Sequence, residues 1–121
     1  MAVQISTAAT ELGALYVDSA ATSTAEANIT GSASGVLYNV SIDNTANPST
    51  DVYVKIYDHA NPTNSTVAHM IFPCLAGTAA SYTIPGGFAF STALSFLCTD
   101  AAATGSGKSP SNGVIVAITA T

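Results

Sequence analysis

Apolar and polar residues alternate with a period of two along most of the chain, and glycine, proline and asparagine interrupt the alternation at short intervals. A period of two places successive side chains on opposite faces of an extended strand, whereas an amphipathic helix needs a period near 3.6. Residues 35–43 and 51–58 show the pattern most clearly. The sequence therefore predicts an all-β fold, an antiparallel β-sandwich or jelly-roll-like arrangement of seven to eight short strands.

The two clearest segments allow a prediction of which side chains face the core, because alternate side chains of a strand lie on opposite sides of its sheet. In residues 35–43 the predicted inner face comprises Val36, Tyr38, Val40 and Ile42. In residues 51–58 the predicted inner face comprises Val52, Val54 and Ile56, and the predicted outer face comprises Tyr53, Lys55 and Tyr57. Both tyrosines of this second segment are therefore expected at the surface.

Prolines mark the expected limits of two further strands. Pro73 lies near the end of the apolar run 67–75. Proline cannot donate a hydrogen bond to a strand ladder, so this run is predicted to be an edge strand or a strand terminus. A second strand, at residues 81–84, is expected to stop at a turn formed by Pro85-Gly86-Gly87.

The remaining pattern predicts three more strands, the first at residues 12–17, and no stable helix. Residues 88–99 alternate as one strand, with five candidate core residues: Phe88, Phe90, Leu94, Phe96 and Cys98. Residues 101–113 read as a loop of small residues, and residues 114–119 as the last strand. Residues 22–28 have some helix propensity, but neither caps nor an apolar stripe support a helix there.

Length and terminal sequence bound the organisation of the chain. The 121 residues favour a single domain with its core at residues 35–118 and an extended N-terminal arm at residues 1–12. The N-terminal residues lack the basic region and apolar core of a secretory signal, so we expect a protein made and kept in a cytoplasm or released by lysis. The apolar segments are also much shorter than the roughly 20 residues of a transmembrane helix, and no membrane association is expected.

Charge is scarce: only 7% of the residues are charged, against about 25% in an ordinary soluble domain. Two lysines and no arginine leave no basic cluster for nucleic acid and no guanidinium to clamp phosphate. The net charge of −5 comes from scattered carboxylates. A surface of Ala, Ser, Thr, Asn and Gly loses few hydrated ions on contact, which favours a protein that packs against other copies or other proteins.

Residues that could carry catalysis are too isolated to predict an enzyme. His59 follows a strand and opens a loop, and His69 lies in an apolar run. Serines and aspartates are plentiful, but the Gly-x-Ser-x-Gly motif of a hydrolase nucleophile is absent. Tyr53 and Tyr57 are expected on one strand face, where they could form a small platform for sugar, although such a pair is more typical of cross-strand packing or an interface.

Metal, cofactor and disulfide chemistry are predicted to be absent. Asp43, Asn44 and Asp51 flank one loop and are the best candidates for calcium ligands, but Asx turns explain these residue types more simply. Cys74 and Cys98 have no metal or redox spacing and are predicted to be small buried apolar residues. A disulfide between neighbouring strands would need an oxidising compartment, of which the sequence gives no sign.

The order of several segments resembles small β-sandwich virion proteins of tailed bacteriophages, including those of cyanophages. The resemblance covers residues 35–118. It comprises the strand Val-Tyr-Val-Lys-Ile-Tyr-Asp at residues 52–58, the proline-ended strand Ile-Phe-Pro-Cys-Leu at 71–75, an aromatic residue after Pro-Gly-Gly at 85–88, and a final strand rich in Val and Ile.

The resemblance implies a structural role in a virion rather than catalysis. The expected function is that of a capsid decoration or cement protein on the capsid exterior, made in the cytoplasm of a bacterial host. Its expected partners are the major capsid protein and its own copies in a homotrimer, with neither nucleic acid nor a cofactor. The predicted contact residues are Val3, Ile5, Leu12, Tyr53 and Tyr57. The alternatives are a neck, tail or fibre component and a β-sandwich module that binds a host glycan.

Overall fold

Two antiparallel sheets pack against each other in the computed structural model, which describes residues 3–5 and 13–121. Within these residues there are eight strands and no helix. The strands are β1 (Val3–Ile5), β2 (Ala14–Ala21), β3 (Gly35–Asp43), β4 (Val52–Asp58), β5 (Met70–Cys74), β6 (Ala79–Phe90), β7 (Leu94–Thr99) and β8 (Val114–Ala120). The predicted all-β class is confirmed, and so are the limits of the strand at Gly35–Asp43.

The larger sheet has the order β1-β2-β8-β3-β6, and the smaller sheet has the order β5-β4-β7. Residues 22–29 extend the smaller sheet along the free edge of β7, where Glu26 and Phe96 exchange two backbone hydrogen bonds of 2.8 and 3.1 Å. With this irregular segment counted as a strand, successive strands from β2 onward alternate between the sheets except at the β4–β5 hairpin. That is the interleaving of a jelly roll, to which β1 adds one edge strand.

The core lies between the sheets and is built from the inner faces of both. The largest buried residues of the core include Leu37, Ile42, Ile56, Leu94, Phe96 and Ile118. Of the candidates in residues 88–99, Phe90, Leu94, Phe96 and Cys98 are buried, and Phe88 packs against the core while remaining partly exposed. Cys74 and Cys98 are free, buried thiols, as the sequence predicted.

A bulge in β3 changes which of its side chains face the core. Leu37 pairs with Ala120 of β8 and Asn39 pairs with Thr119, so Tyr38 is an extra residue on its strand. Leu37 is consequently buried while Val36 and Tyr38 remain partly exposed. The prediction that Val36 and Tyr38 face the core was therefore wrong, because a bulge reverses the alternation locally.

The sequence predicted that Pro85-Gly86-Gly87 ends a strand. In the structure it instead forms a bulge within the 12-residue β6. Leu37 pairs with Phe88 and Asn39 pairs with Thr83, so four residues of β6 lie opposite Tyr38. Gly86 and Gly87 have φ values of 76° and 77°, which side chains with a Cβ atom rarely adopt. The glycines therefore supply the same backbone freedom that a turn needs, but β6 resumes its pairing with β3 after the bulge.

Residues 88–99 were predicted to be one strand, but the chain crosses from the larger to the smaller sheet at Ser91–Ala93. At this crossing the carboxylate of Asp58 accepts hydrogen bonds from the backbone N–H groups of Ser91, Thr92 and Ala93 at 2.7–3.1 Å. Burial alone would raise the pKa of Asp58, but these donors outweigh that effect and hold its pKa below the usual value. The Asp58 side chain, at the end of β4, thus stabilises the crossover between β6 and β7.

Candidate interaction surface

The outer face of the smaller sheet is mostly hidden from solvent, contrary to the sequence prediction. Lys55 is 1% exposed and Tyr57 is 0% exposed, although both were expected at the surface. Both are on the side of β4 that faces away from the core, since Val54 and Ile56 belong to the core cluster. Tyr57 is therefore ruled out as a surface contact residue and as part of a sugar platform with Tyr53.

Two loops cover this face and are held together over Lys55. The Lys55 ammonium donates to Asn64 Oδ1 at 2.8 Å and to the Ala103 carbonyl at 2.9 Å. Asn64 Nδ2 in turn donates to the Ser106 carbonyl at 2.8 Å. All of these acceptors are neutral, and burial lowers the pKa of Lys55. Loops 59–69 and 100–113 thus form an outer layer on the smaller sheet.

The layer stops short of β5, where an apolar stripe is exposed. Every second residue from 67 to 75 is exposed, and the residues between them are partly or fully buried. Val67 is 73% exposed, Ile71 40% and Leu75 63%, and Pro73 is also exposed. Residues 67–75 contain no Asp, Glu, Lys or Arg. We call Val67, Ile71, Pro73 and Leu75 the β5 stripe.

Hydrogen bonds and ring contacts hold the strand that carries the stripe. Residues Met70 to Cys74 pair with β4, and the Tyr82 hydroxyl of β6 donates to the Pro73 carbonyl. The rings of Phe72 and Tyr82 lie 5.0 Å apart between the two sheets. The β5 stripe is therefore a preorganised apolar surface, and a partner that covers it would order few additional side chains.

The β5 stripe begins and ends at hydrogen-bonded turns. At one end His69 N donates to the Ile56 carbonyl, and the Asp58 N–H donates to His69 Nδ1. At the other end the buried amide of Asn44 donates to the Cys74 and Leu75 carbonyls at 3.3 Å each. These contacts fix the position of the exposed side chains at both ends.

The other predicted contact residues have different outcomes. Tyr53 is partly buried and pairs with Pro73, so it lies beside the β5 stripe on the outer face of the smaller sheet. Val3 and Ile5 belong to β1, which pairs with β2 of the same chain. Leu12 lies outside the described residues. Among the predicted contact residues that the structure describes, Tyr53 alone lies next to the β5 stripe.

The two histidines have separate, local hydrogen bonds. Nδ1 of His59 accepts from the backbone N–H of Asn61 at 2.9 Å, and Nδ1 of His69 accepts from that of Asp58 at 3.2 Å. The ring of His69 also lies 5.8 Å from that of Phe88. Neither contact joins a histidine to a serine or a carboxylate.

The predicted calcium-site residues hydrogen-bond within the protein, both to their own loop and to the turn after β5. Asp43 accepts from the N–H and the hydroxyl of Thr45, forming an Asx turn that lowers the pKa of Asp43. The carboxylate of Asp51 accepts from the Ala76 N–H at 2.8 Å. Among the side chains that the structure describes, no group of three or more His, Cys, Asp or Glu residues could hold a metal ion.

Asp18 is an ionisable side chain that the sequence did not single out, and it lies in the core. It is 0% exposed, and its Oδ1 accepts from the Ala20 N–H at 3.1 Å. Its Oδ2 has no hydrogen-bond partner among the described residues. Burial, with a smaller contribution from the negative charge of Glu26, raises the pKa of Asp18 to about 6.

Comparison of the chain with protein-family models, with curated proteins and with solved structures found no match. In residues 3–5 and 13–121 there is no helix long and apolar enough to cross a lipid bilayer. The function must therefore be argued from the surfaces of this chain.

Proposed function

We propose that this protein is a structural component of a bacteriophage virion, most plausibly a decoration protein that cements neighbouring capsid subunits. The β5 stripe is the observation that carries this proposal. Apolar side chains exposed on one face of an edge strand and just beyond its ends, in a chain with so little charge, are typical of a surface that another protein covers. The jelly roll is compatible with the proposal, since viral capsid domains use it, but lectins and cupins use it too.

The proposed mechanism is thermodynamic linkage. A protein that binds the assembled capsid lattice more tightly than free subunits stabilises the lattice, because disassembly must also break the added contacts. The β5 stripe supplies the apolar area for these contacts, and Tyr53 extends that area at Pro73. The partners are the major capsid protein and further copies of this chain, arranged as a homotrimer on the capsid exterior.

The test uses heads of a phage that carries this sequence, assembled after its copy of the gene has been deleted. Added wild-type protein is expected to appear in cryo-electron microscopy as density at lattice symmetry axes. Ile71→Asp and Leu75→Asp are expected to abolish the density, because an unpaired carboxylate in an apolar contact is costly to desolvate. Failure of the wild-type protein to bind heads would overturn the cement role, and density on neck, tail or fibres would relocate the protein within the virion.

Ile115→Asp is the matched control for this test. Ile115 is 42% exposed, close to the 40% of Ile71, but it belongs to β8 in the larger sheet. The control variant is expected to decorate heads like the wild type. Equal loss of binding in the Ile71 and Ile115 variants would contradict the assignment of the contact to the β5 stripe.

A further inference from the structure

A second candidate binding surface lies on the outer face of the larger sheet, around the paired bulges of β3 and β6. A cavity of about 510 Å³ opens here, within the range of small-molecule sites. Its lining includes Tyr38, Asn39, Thr83 and Gly86. None of its lining residues carries a charge.

The bulges give the cavity its aromatic wall. A Cβ atom at Gly87 would lie 2.2 Å from Val36 Cγ1 and 3.1 Å from Tyr38 Cε1, so the backbone of Gly87 approaches this side of the Tyr38 ring closely. A Cβ atom at Gly86 would meet nothing within 4 Å, since this glycine faces open space. The backbone of β6 therefore supports the tyrosine from one side and leaves the neighbouring space free.

Neutral hydrogen-bonding groups form the floor of the cavity. Asn39 Nδ2 donates to Thr83 Oγ1 at 3.0 Å and to Ser81 Oγ at 3.3 Å, and Asn39 Oδ1 accepts from the Ser41 hydroxyl at 3.0 Å. These bonds orient the amide. Asn39 Oδ1 keeps one lone pair, and the Thr83 hydroxyl keeps its proton for a ligand.

The floor continues into a second depression of about 330 Å³, which Ser41 and Ser81 line. Ser41 and Ser81 hydrogen-bond to each other at 3.0 Å, and both are bonded to Asn39. The two depressions therefore lie next to each other along β3 and β6, linked by this hydrogen-bond network. We call them together the groove, and two adjoining depressions suit linked units better than a single small molecule. The one charged residue in the groove, Asp43, lines its far end.

We propose that this groove binds an uncharged oligosaccharide, with one sugar ring stacked on Tyr38. Sugar hydroxyls both donate and accept hydrogen bonds, which matches a floor of amide and hydroxyl groups. The C–H face of a sugar ring is apolar and complements an aromatic wall. The lack of cationic groups disfavours phosphate, sulfate or sialic acid, which need charge-assisted hydrogen bonds for tight binding. The site is independent of the β5 stripe and of the proposed cement role.

The test uses the whole chain, fluorescently labelled, on an array of immobilised oligosaccharides. The array carries neutral glycans of glucose, galactose and N-acetylglucosamine together with sialylated and sulfated ones. The wild type is expected to retain neutral glycans, and Tyr38→Ala is expected to weaken the best of them at least tenfold. Tyr53→Ala is the control, since Tyr53 lies on the other sheet, and it is expected to bind like the wild type.

Thr83→Val is a second test variant in case Tyr38→Ala disturbs the fold, because valine keeps the shape of threonine and suits a strand. It is expected to weaken binding several-fold in a titration with the best glycan, followed by intrinsic tyrosine fluorescence. Retention of no neutral glycan, retention of charged glycans alone, or binding that survives both Tyr38→Ala and Thr83→Val would overturn the proposal. Head decoration by the Tyr38 variant is expected to be normal, so the two proposals can fail separately.

Discussion

The outer faces of the two sheets differ in solvent exposure: that of the smaller sheet is mostly covered, and that of the larger sheet is open. On the smaller sheet, Lys55 and Tyr57 are buried although these residue types usually reach solvent, and loops 59–69 and 100–113 cover Lys55. On the larger sheet, Ser81, Thr83 and Ile115 remain exposed. The difference shows that a strand's outward side is not always its surface. Whether a residue is available to a partner depends also on loops packed over the strand, one of which, 100–113, is distant in sequence.

Removal of a large side chain should show the strongest contrast between the faces. Tyr57→Ala is expected to lower the free energy of unfolding by about 3–5 kcal/mol, because it leaves a cavity under the loops. Tyr38→Ala, on the open face, is expected to cost no more than about 1 kcal/mol. Equilibrium unfolding in guanidinium chloride measures both values, and equal losses would contradict the contrast.

The two lysines, buried Lys55 and exposed Lys108, also allow the stability effects of a covered and an open position to be compared. Lys55→Met is expected to cost about 2 kcal/mol, because it leaves Asn64 Oδ1 and the Ala103 carbonyl without their donor. Amide hydrogen exchange should also become faster in both covering loops. Lys108 is exposed, so Lys108→Met is expected to change stability by less than about 0.5 kcal/mol. Unchanged exchange in the Lys55 variant would show that the loops cover the sheet without this tether.

Asp18 extends the comparison to the layer between the sheets, and its effect depends on pH. Its folded-state pKa of about 6 is above the unfolded value of about 3.9, so the folded protein binds the extra proton between these values. The contribution of Asp18 to stability is therefore full below about pH 4 and is lost as the pH rises through 6. Asp18→Asn should be more stable than the wild type at pH 8 by roughly 1–2 kcal/mol, after allowance for solvent screening.

The measurement is the difference between the unfolding free energies of the Asp18→Asn variant and the wild type, taken from pH 4.5 to 8. The difference should grow with pH. Asp43→Asn is the control whose difference should stay constant over this range, since the Asx turn lowers the pKa of Asp43 and any pH dependence of its effect falls below pH 4.5. A pH-independent difference for Asp18 would mean that the carboxylate reaches solvent or a partner.

The smallest effect is expected from a single hydroxyl. The Tyr57 hydroxyl is buried without a hydrogen-bond partner, and burial raises its pKa. Tyr57→Phe removes this unsatisfied group and is expected to stabilise the protein by up to about 1 kcal/mol. Tyr53→Phe, at a partly exposed position, should have no measurable effect. Thermal unfolding separates these outcomes, and a clear loss of stability in Tyr57→Phe would reveal a hydrogen bond that the hydroxyl makes in solution.

The fold was largely predictable because period-two alternation is a local signal that survives in the structure. It placed β3 correctly, and Pro73 correctly indicated that β5 is an edge strand. It failed at Tyr38 and at Pro85-Gly86-Gly87, where bulges use the same residue types as turns. Whether pairing resumes after such a segment depends on the neighbouring strand, which local sequence does not show.

The candidate surfaces were less predictable, because they depend on contacts between distant residues. Tyr57 was predicted at the surface, but loops 59–69 and 100–113 cover its sheet. The β5 stripe could have been found, since the period-two pattern itself places Val67, Ile71 and Leu75 on one face of an edge strand. The groove at Tyr38 could not, because it exists only where two separate bulges face each other.

The central position of β8 in the larger sheet affects how the chain is made. β8 lies between β2 and β3, yet the ribosome synthesises it last among the described strands. At about 5–20 residues per second, β2 waits roughly 5–20 s for this neighbour. During that interval β2 and β3 each carry an unpaired edge on a chain with few charges to repel its copies. Crowded polysomes are therefore where this protein is exposed to misassembly through its own unpaired strands.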